Sequence, residues 1–106
     1  MKLYHATTRQ HLSSIQKNGL RVACADAAAK IKAVWLHTAS QSPWAVVHTI
    51  RKHNAALADV VVIEVTVPRS QLRRFRTGLW YVQGDVSPKQ LGQVIEGCTF
   101  GASASE

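Results

Sequence analysis

A chain of 106 residues has room for one core, and 46% apolar content is enough to fill it. No apolar run approaches the roughly 18 residues of a membrane span, and a lone Lys2 with no long apolar stretch behind it predicts no secretory leader, which favours the cytoplasm. Thirteen Lys and Arg against six Asp and Glu give a net charge of +7, a surface expected to attract polyanions.

The elements follow in chain order. Residues 2–5 read as a strand that delivers His5 and, on the same side two residues later, Thr7. Thr7 or Thr8 is placed to cap a helix over 9–18, with Leu12 and Ile15 inward and Gly19 as its stop. Ala23 to Ala29 reads as a loop with a helical turn, and Ala33 to His37 as a second strand. Ser42-Pro43 is a helix start, a capping hydroxyl followed by proline, for a helix to about Lys52 that buries Trp44, Val47 and Ile50. Asp59 to Val67, dense in β-branched residues and apolar on both faces at first, predicts a central strand ended by Pro68.

Ser70 to Phe75 reads as a basic turn or short helix, Leu79 to Val82 as a strand and Gly84-Asp85 as a turn. Ser87-Pro88 repeats the cap-and-proline signature, and Gln93 to Glu96 is the last strand expected. Residues 1–100 are expected to form one α+β domain: a curved or split, mostly antiparallel sheet with two or three short helices. Residues 101–106 are a small polar tail, expected to be flexible.

Cys24 and Cys98 lack a Cys-x-x-Cys spacing and are expected as buried thiols rather than a disulfide or metal pair. The five histidines include no i, i+4 pair flanking a glutamate, so no metal is expected. Trp35, Trp44 and Trp80 are expected to serve the core first. Arg51, Arg73 and Arg74 stand in the two basic concentrations and are the candidates for nucleic-acid phosphate contacts. An imidazole and a hydroxyl at one strand end make His5 and Thr7 the leading candidates for gripping a ribose or carboxamide. Nothing in the sequence sets an oligomeric state.

Leu3-Tyr4-His5-Ala6-Thr7, with Ser14-Ile15 and Gly19-Leu20 behind it, resembles the ADP-ribosyltransferase fold. It is most similar to the catalytic lobe of tRNA 2′-phosphotransferases, with its "YHGT…SI…GL" opening, and to DNA-modifying ADP-ribosyltransferase toxins. The likeness continues through Val34 to His37, Ala45 to His53, Val60 to Val65, Gly78 to Tyr81 and Val86 to Leu91, so it spans about residues 3–95. Three departures stand out. The 106 residues open directly at the part that resembles the NAD-binding lobe, where the phosphotransferases have a separate RNA-binding lobe before it; Lys30 and Lys32 stand where that family has an arginine; and the stretch from Tyr81 to Val86 is shorter.

What the resemblance implies is an NAD cradle rather than removal of a 2′-phosphate. Breaking the bond between nicotinamide and ribose passes through a cation-like sugar, as in glycoside cleavage. His5 and Thr7 would then hold the riboses, Trp35 or Tyr81 would stack on the nicotinamide, and Lys30, Lys32 or Arg9 would meet phosphate. His37, two residues beyond Trp35, is a candidate to line the same cleft, with a surface position as the alternative. His5, Lys32 and Glu96 are the catalytic candidates, Glu96 as the late glutamate that many ADP-ribosyltransferases use. The expected activity is NAD-dependent ADP-ribosyl transfer to an acceptor, nucleic acid favoured. A nucleic-acid-binding or inhibitory module without catalysis, and an NAD glycohydrolase, are the rivals.

Overall fold

In the computed structural model, which describes residues 1–22, 27–28 and 31–100, the chain opens with β1 (Lys2–Thr8). Its partner is β5 (Val60–Thr66), paired antiparallel without a break from Lys2↔Thr66 to Thr8↔Val60. Val60, Val61, Val62, Ile63 and Val65 are all buried, each worth about 2 kcal/mol relative to exposure. Both faces of β5 are apolar because both faces of the sheet are covered.

On one face Leu3, Ile63 and Val65 meet Val34 and Leu36 of β4 (Val34–His37), and Leu12 and Ile15 of α1 (Leu12–Asn18) pack over them. On the other, Val60 and Val62 meet Val46 of α2 (Ser42–His53), with Tyr4 and Ala6 alongside. Three further strands complete the sheet: β6 (Arg73–Arg76) and β8 (Leu91–Glu96) at its two edges, and β7 (Leu79–Val82) between β6 and β4. The order is β6-β7-β4-β1-β5-β8, antiparallel throughout and open at both ends. A separate two-stranded ladder joins β2 (Ala27–Ala28) to β3 (Ile31–Lys32). The fold class is α+β, as the sequence predicts. No described helix is long and apolar enough to cross a membrane.

Several elements differ from expectation for identifiable reasons. β1 runs three residues further than predicted because Thr7 and Thr8, both buried, continue its ladder instead of capping a helix. A 3₁₀ turn at Arg9–His11 precedes α1, and Thr8 Oγ1 meets His11 Nδ1 at 2.9 Å rather than a backbone amide. The strand expected to be central, β5, is interior, paired with β1 on one side and with β8 on the other. The basic segment begins with a short turn as expected, a 3₁₀ turn at Arg69–Gln71, but its second half is edge strand β6, whose side chains are all exposed, which an edge tolerates and an interior strand does not. β8 begins at Leu91, two residues early.

The sheet-facing side of α2 is Ser42, Ala45, Val46 and Thr49, a row of small residues that lets the helix sit close. That rotation leaves Trp44, expected in the core, 42% exposed. Ser42 is correspondingly buried inside the first turn instead of capping it. Ser87 behaves as predicted: it caps a 3₁₀ turn at Pro88–Gln90 with a reciprocal capping box. Cys98 is exposed at the start of the helical residues past β8, against the expected burial, while Cys24, most of the 23–29 segment and the 101–106 tail lie outside the described residues.

Gly19 stops α1 with φ +80, and a Cβ there would collide with the carbonyl oxygen of Val86. The close approach has a purpose. Leu20 and Val86 exchange backbone bonds of 2.9 and 2.8 Å, tying the end of α1 to the far loop.

The sheet is not uniform across its middle. Between β1 and β4 only Tyr4↔His37 is in register, although β1 continues to Thr8 and β4 begins at Val34. Beyond Tyr4 the two strands part.

Candidate functional site

The imidazole of His5 reaches across this gap, with Nδ1 2.9 Å from the carbonyl oxygen of Trp35. A carbonyl only accepts, so Nδ1 carries the hydrogen. Burial lowers the His5 pKa most, the Trp35 bond opposes it, and the nearby Lys52 charge adds to the lowering. A neutral ring protonated at Nδ1 has Nε2 as an acceptor.

A cavity of about 670 Å³ opens at this place, walled by His5, Ala6 and Thr7 of β1 and by Ala33 to His37 around β4. One end of α1 and one side of α2 close it on either hand. The volume falls in the range of roughly 300–1,000 Å³ that small-molecule and cofactor sites occupy.

Its polar lining has one dominant character. All five histidines of the chain, His5, His11, His37, His48 and His53, border this cavity, together with Arg21, Lys52 and Arg76. No carboxylate among the described residues does. Glu64 Oε1 instead lies 3.6 Å from Lys2 Nζ, and Asp85 Oδ1 accepts from the Val22 amide at 2.9 Å. The histidines are not a metal centre: among the described residues no group of three or more His, Cys, Asp or Glu is arranged to hold one.

His37 is the most enclosed of them at 3% exposed. Its Nε2 is 3.2 Å from Ser42 Oγ, and its ring lies 6.2 Å from that of Tyr4. Burial, then the proximity of His5, pushes its pKa down to about 4. Trp35 supplies the other unusual group. Its indole Nε1 is buried without a hydrogen-bond partner, an uncommon state for a donor in a folded protein.

No protein-family model and no curated protein matches the chain.

The structure therefore brings together four of the residues singled out in the sequence: His5, Thr7, Trp35 and His37 all line the cavity. Tyr81 sits behind Trp35, ring centroids 5.1 Å apart, and does not border it. Lys32 is exposed in β3 and outside the lining, and Lys30 lies outside the described residues.

Arg9 and Glu96, expected as a phosphate contact and a catalytic carboxylate, are bonded to each other on the surface. Arg9 Nη1 is 3.2 Å from Glu96 Oε2, a second bond joins Nη2 to Oε1, and Nη2 also donates to the Ala58 carbonyl at 2.9 Å. Each shifts the other, the guanidinium pKa upward and the carboxylate downward. The physical reason is topological: Glu96 ends the edge strand β8, separated from β1 by β5. Arg51, Arg73 and Arg74 are exposed and lie outside the lining as well.

Sequence reasoning missed His11, Trp44, His48, Phe75 and Arg76. One signal was available. Trp44, His48 and Lys52 recur at i, i+4 and i+8, a stripe along one side of α2, and all three line the cavity.

Proposed function

We propose that this cavity binds NAD and that the protein transfers the ADP-ribosyl group to an acceptor, with nucleic acid favoured. The observation that carries the reading is the parting of β1 from β4 around His5, which opens a chamber of dinucleotide scale where the "YHAT" segment stands. The residues present suit such a molecule. Cationic Arg21, Lys52 and Arg76 with no described carboxylate among the lining favour a pyrophosphate. The Thr7 hydroxyl and the acceptor nitrogen of His5, both on lining residues, suit ribose hydroxyls.

Bound NAD supplies a nicotinamide that leaves with the electron pair of its bond to the ribose. The chain's own part is to hold the riboses, exclude water and take the acceptor's proton. With Glu96 turned to Arg9, His5, whose ring carries its hydrogen on Nδ1 and so has an acceptor nitrogen, is the candidate to take that proton.

A second reading is a binding module that lacks catalysis, and the lack of a carboxylate among the described lining residues favours it. Nicotinamide release from NAD by the purified protein, with and without single-stranded RNA or DNA, decides between them. Release that depends on nucleic acid supports the transferase, and release without any acceptor points to a glycohydrolase. His5→Ala, with its fold checked by circular dichroism, should weaken NAD binding by about tenfold, the value of one good hydrogen bond. Should NAD produce neither release nor a thermal shift in the wild type, the proposal is wrong.

A further inference from the structure

The mouth of the cavity carries an aromatic and cationic surface that the chamber itself does not require. Among the described residues the large exposed hydrophobics are Met1, Trp44, Leu57 and Phe75, and the two aromatic ones both stand at this mouth. Trp44 is 42% exposed, yet its ring is held: His48 stacks on it at 5.2 Å and 16°, and the Arg76 guanidinium lies 5.5 Å from its centroid. Phe75 is 43% exposed and braced edge-on against Trp35 at 5.2 Å, with Tyr81 supporting Trp35 in turn. Exposed rings held by their neighbours have little rotamer freedom left to lose, which pre-organises them for a planar ligand.

The strand that bears Phe75 is the most basic part of the fold. From Arg69 to Val82 the chain has four arginines and no carboxylate. Arg73, Arg74 and Arg76 are exposed along edge strand β6, where Arg74 Nη2 donates to Thr77 Oγ1 at 2.9 Å. Charge on an edge strand also discourages strand-to-strand aggregation, but that role calls for no exposed aromatic ring among the arginines.

We propose that this surface binds single-stranded nucleic acid, with unpaired bases stacked on Trp44 and Phe75 and the phosphate backbone following the arginines of β6 into the mouth of the cavity. Bases in a duplex have their faces covered, so rings of this kind read only unstacked ones. The inference rests on the chamber being the reaction site, and it names the acceptor as an unpaired nucleotide strand.

The test is fluorescence anisotropy with labelled oligouridine and oligothymidine of about twelve nucleotides, within the site size of small single-strand binders, and with a duplex of the same length. The single strands should bind more tightly than the duplex, and the two sugar types separate RNA from DNA as the source. Trp44→Ala and Phe75→Ala should each weaken single-strand binding by about 5- to 100-fold, whereas Trp44→Phe, which retains a ring, should keep most of it. Arg73→Gln with Arg74→Gln should lower the salt slope by about 0.7 for each phosphate that an arginine no longer neutralises.

Equal affinity for duplex and single strand, or affinity indifferent to both rings, overturns the inference. So does tighter binding to phosphatidylserine vesicles that Trp44→Ala abolishes, since the surface would then be a membrane contact. The wild-type thermal shift with NAD is read separately. If it is present while the ring variants bind oligonucleotide normally, only this inference fails; if it is missing, the NAD reading fails and anisotropy alone judges the surface.

Discussion

Acid should destabilise this protein through His37. The ring is 3% exposed against Ser42 and Tyr4, and its pKa is lowered from 6.5 to about 4. In the unfolded chain the same imidazole titrates normally, so between those two values the unfolded state binds a proton that the folded state refuses. Stability is therefore full above the unfolded pKa and falls as pH drops from about 6.5 to about 4. The whole window is worth about 3 kcal/mol, of which about 2 kcal/mol is lost by about pH 5. Against a total of about 5–15 kcal/mol for an ordinary domain, that is a large share.

His5, lowered in the same direction, adds to the slope. The assay is urea denaturation followed by tryptophan fluorescence at about pH 7.5, 6 and 5, comparing wild type with His37→Gln. Glutamine offers Ser42 a polar partner but has no charge to gain. The wild type should lose about 2 kcal/mol more than the variant between the extremes of that range. Parallel pH profiles for the two proteins would refute the argument, because His37 would then titrate alike in both states.

Two glycines should differ in how much alanine costs them. Gly19→Ala forces φ +80 on a residue with a Cβ and drives that carbon into the Val86 backbone, so a loss of about 3 kcal/mol is expected in denaturant melts. Gly92→Ala clashes closest with the movable carboxylate end of Glu64, with its Cβ at ordinary contact distance, and should shift stability by less than about 1 kcal/mol. Glu96→Gln should leave nicotinamide release unchanged, since its carboxylate is engaged by Arg9 outside the cavity; loss of turnover would return Glu96 to the chemistry.

What could be read in advance was whatever local chemistry decides. The valines of β5 admit no conformation as good as a strand, Gly19 marks a stop that other residues resist, and Ser87-Pro88 carries its own cap. What could not be read depends on distant partners. Arg73 to Arg76 show no apolar alternation and become a strand only because β7 offers an edge to pair with. Hydrophobicity alone sends Trp44 to the core, while the close fit of Ala45 and Thr49 to the sheet turns it outward. Arg9 and Glu96 meet across 87 residues of sequence, so no spacing rule would have removed Glu96 from the site.

The position of the split follows from how the two middle strands use their hydrogen bonds. β1 satisfies one edge through its unbroken ladder with β5, and β4 does the same through four pairs with β7. Each strand is anchored from outside and does not need the other. Closing the gap would pair more backbone, yet it would also press the His5 ring between two backbones. The ring instead donates to the Trp35 carbonyl and holds the strands apart at bonding distance. Thus the residue that props the cavity open also presents an acceptor nitrogen on its wall. A bulky apolar replacement at position 5 would forfeit the prop and the acceptor together, which ties the shape of this chamber to its chemistry through one side chain.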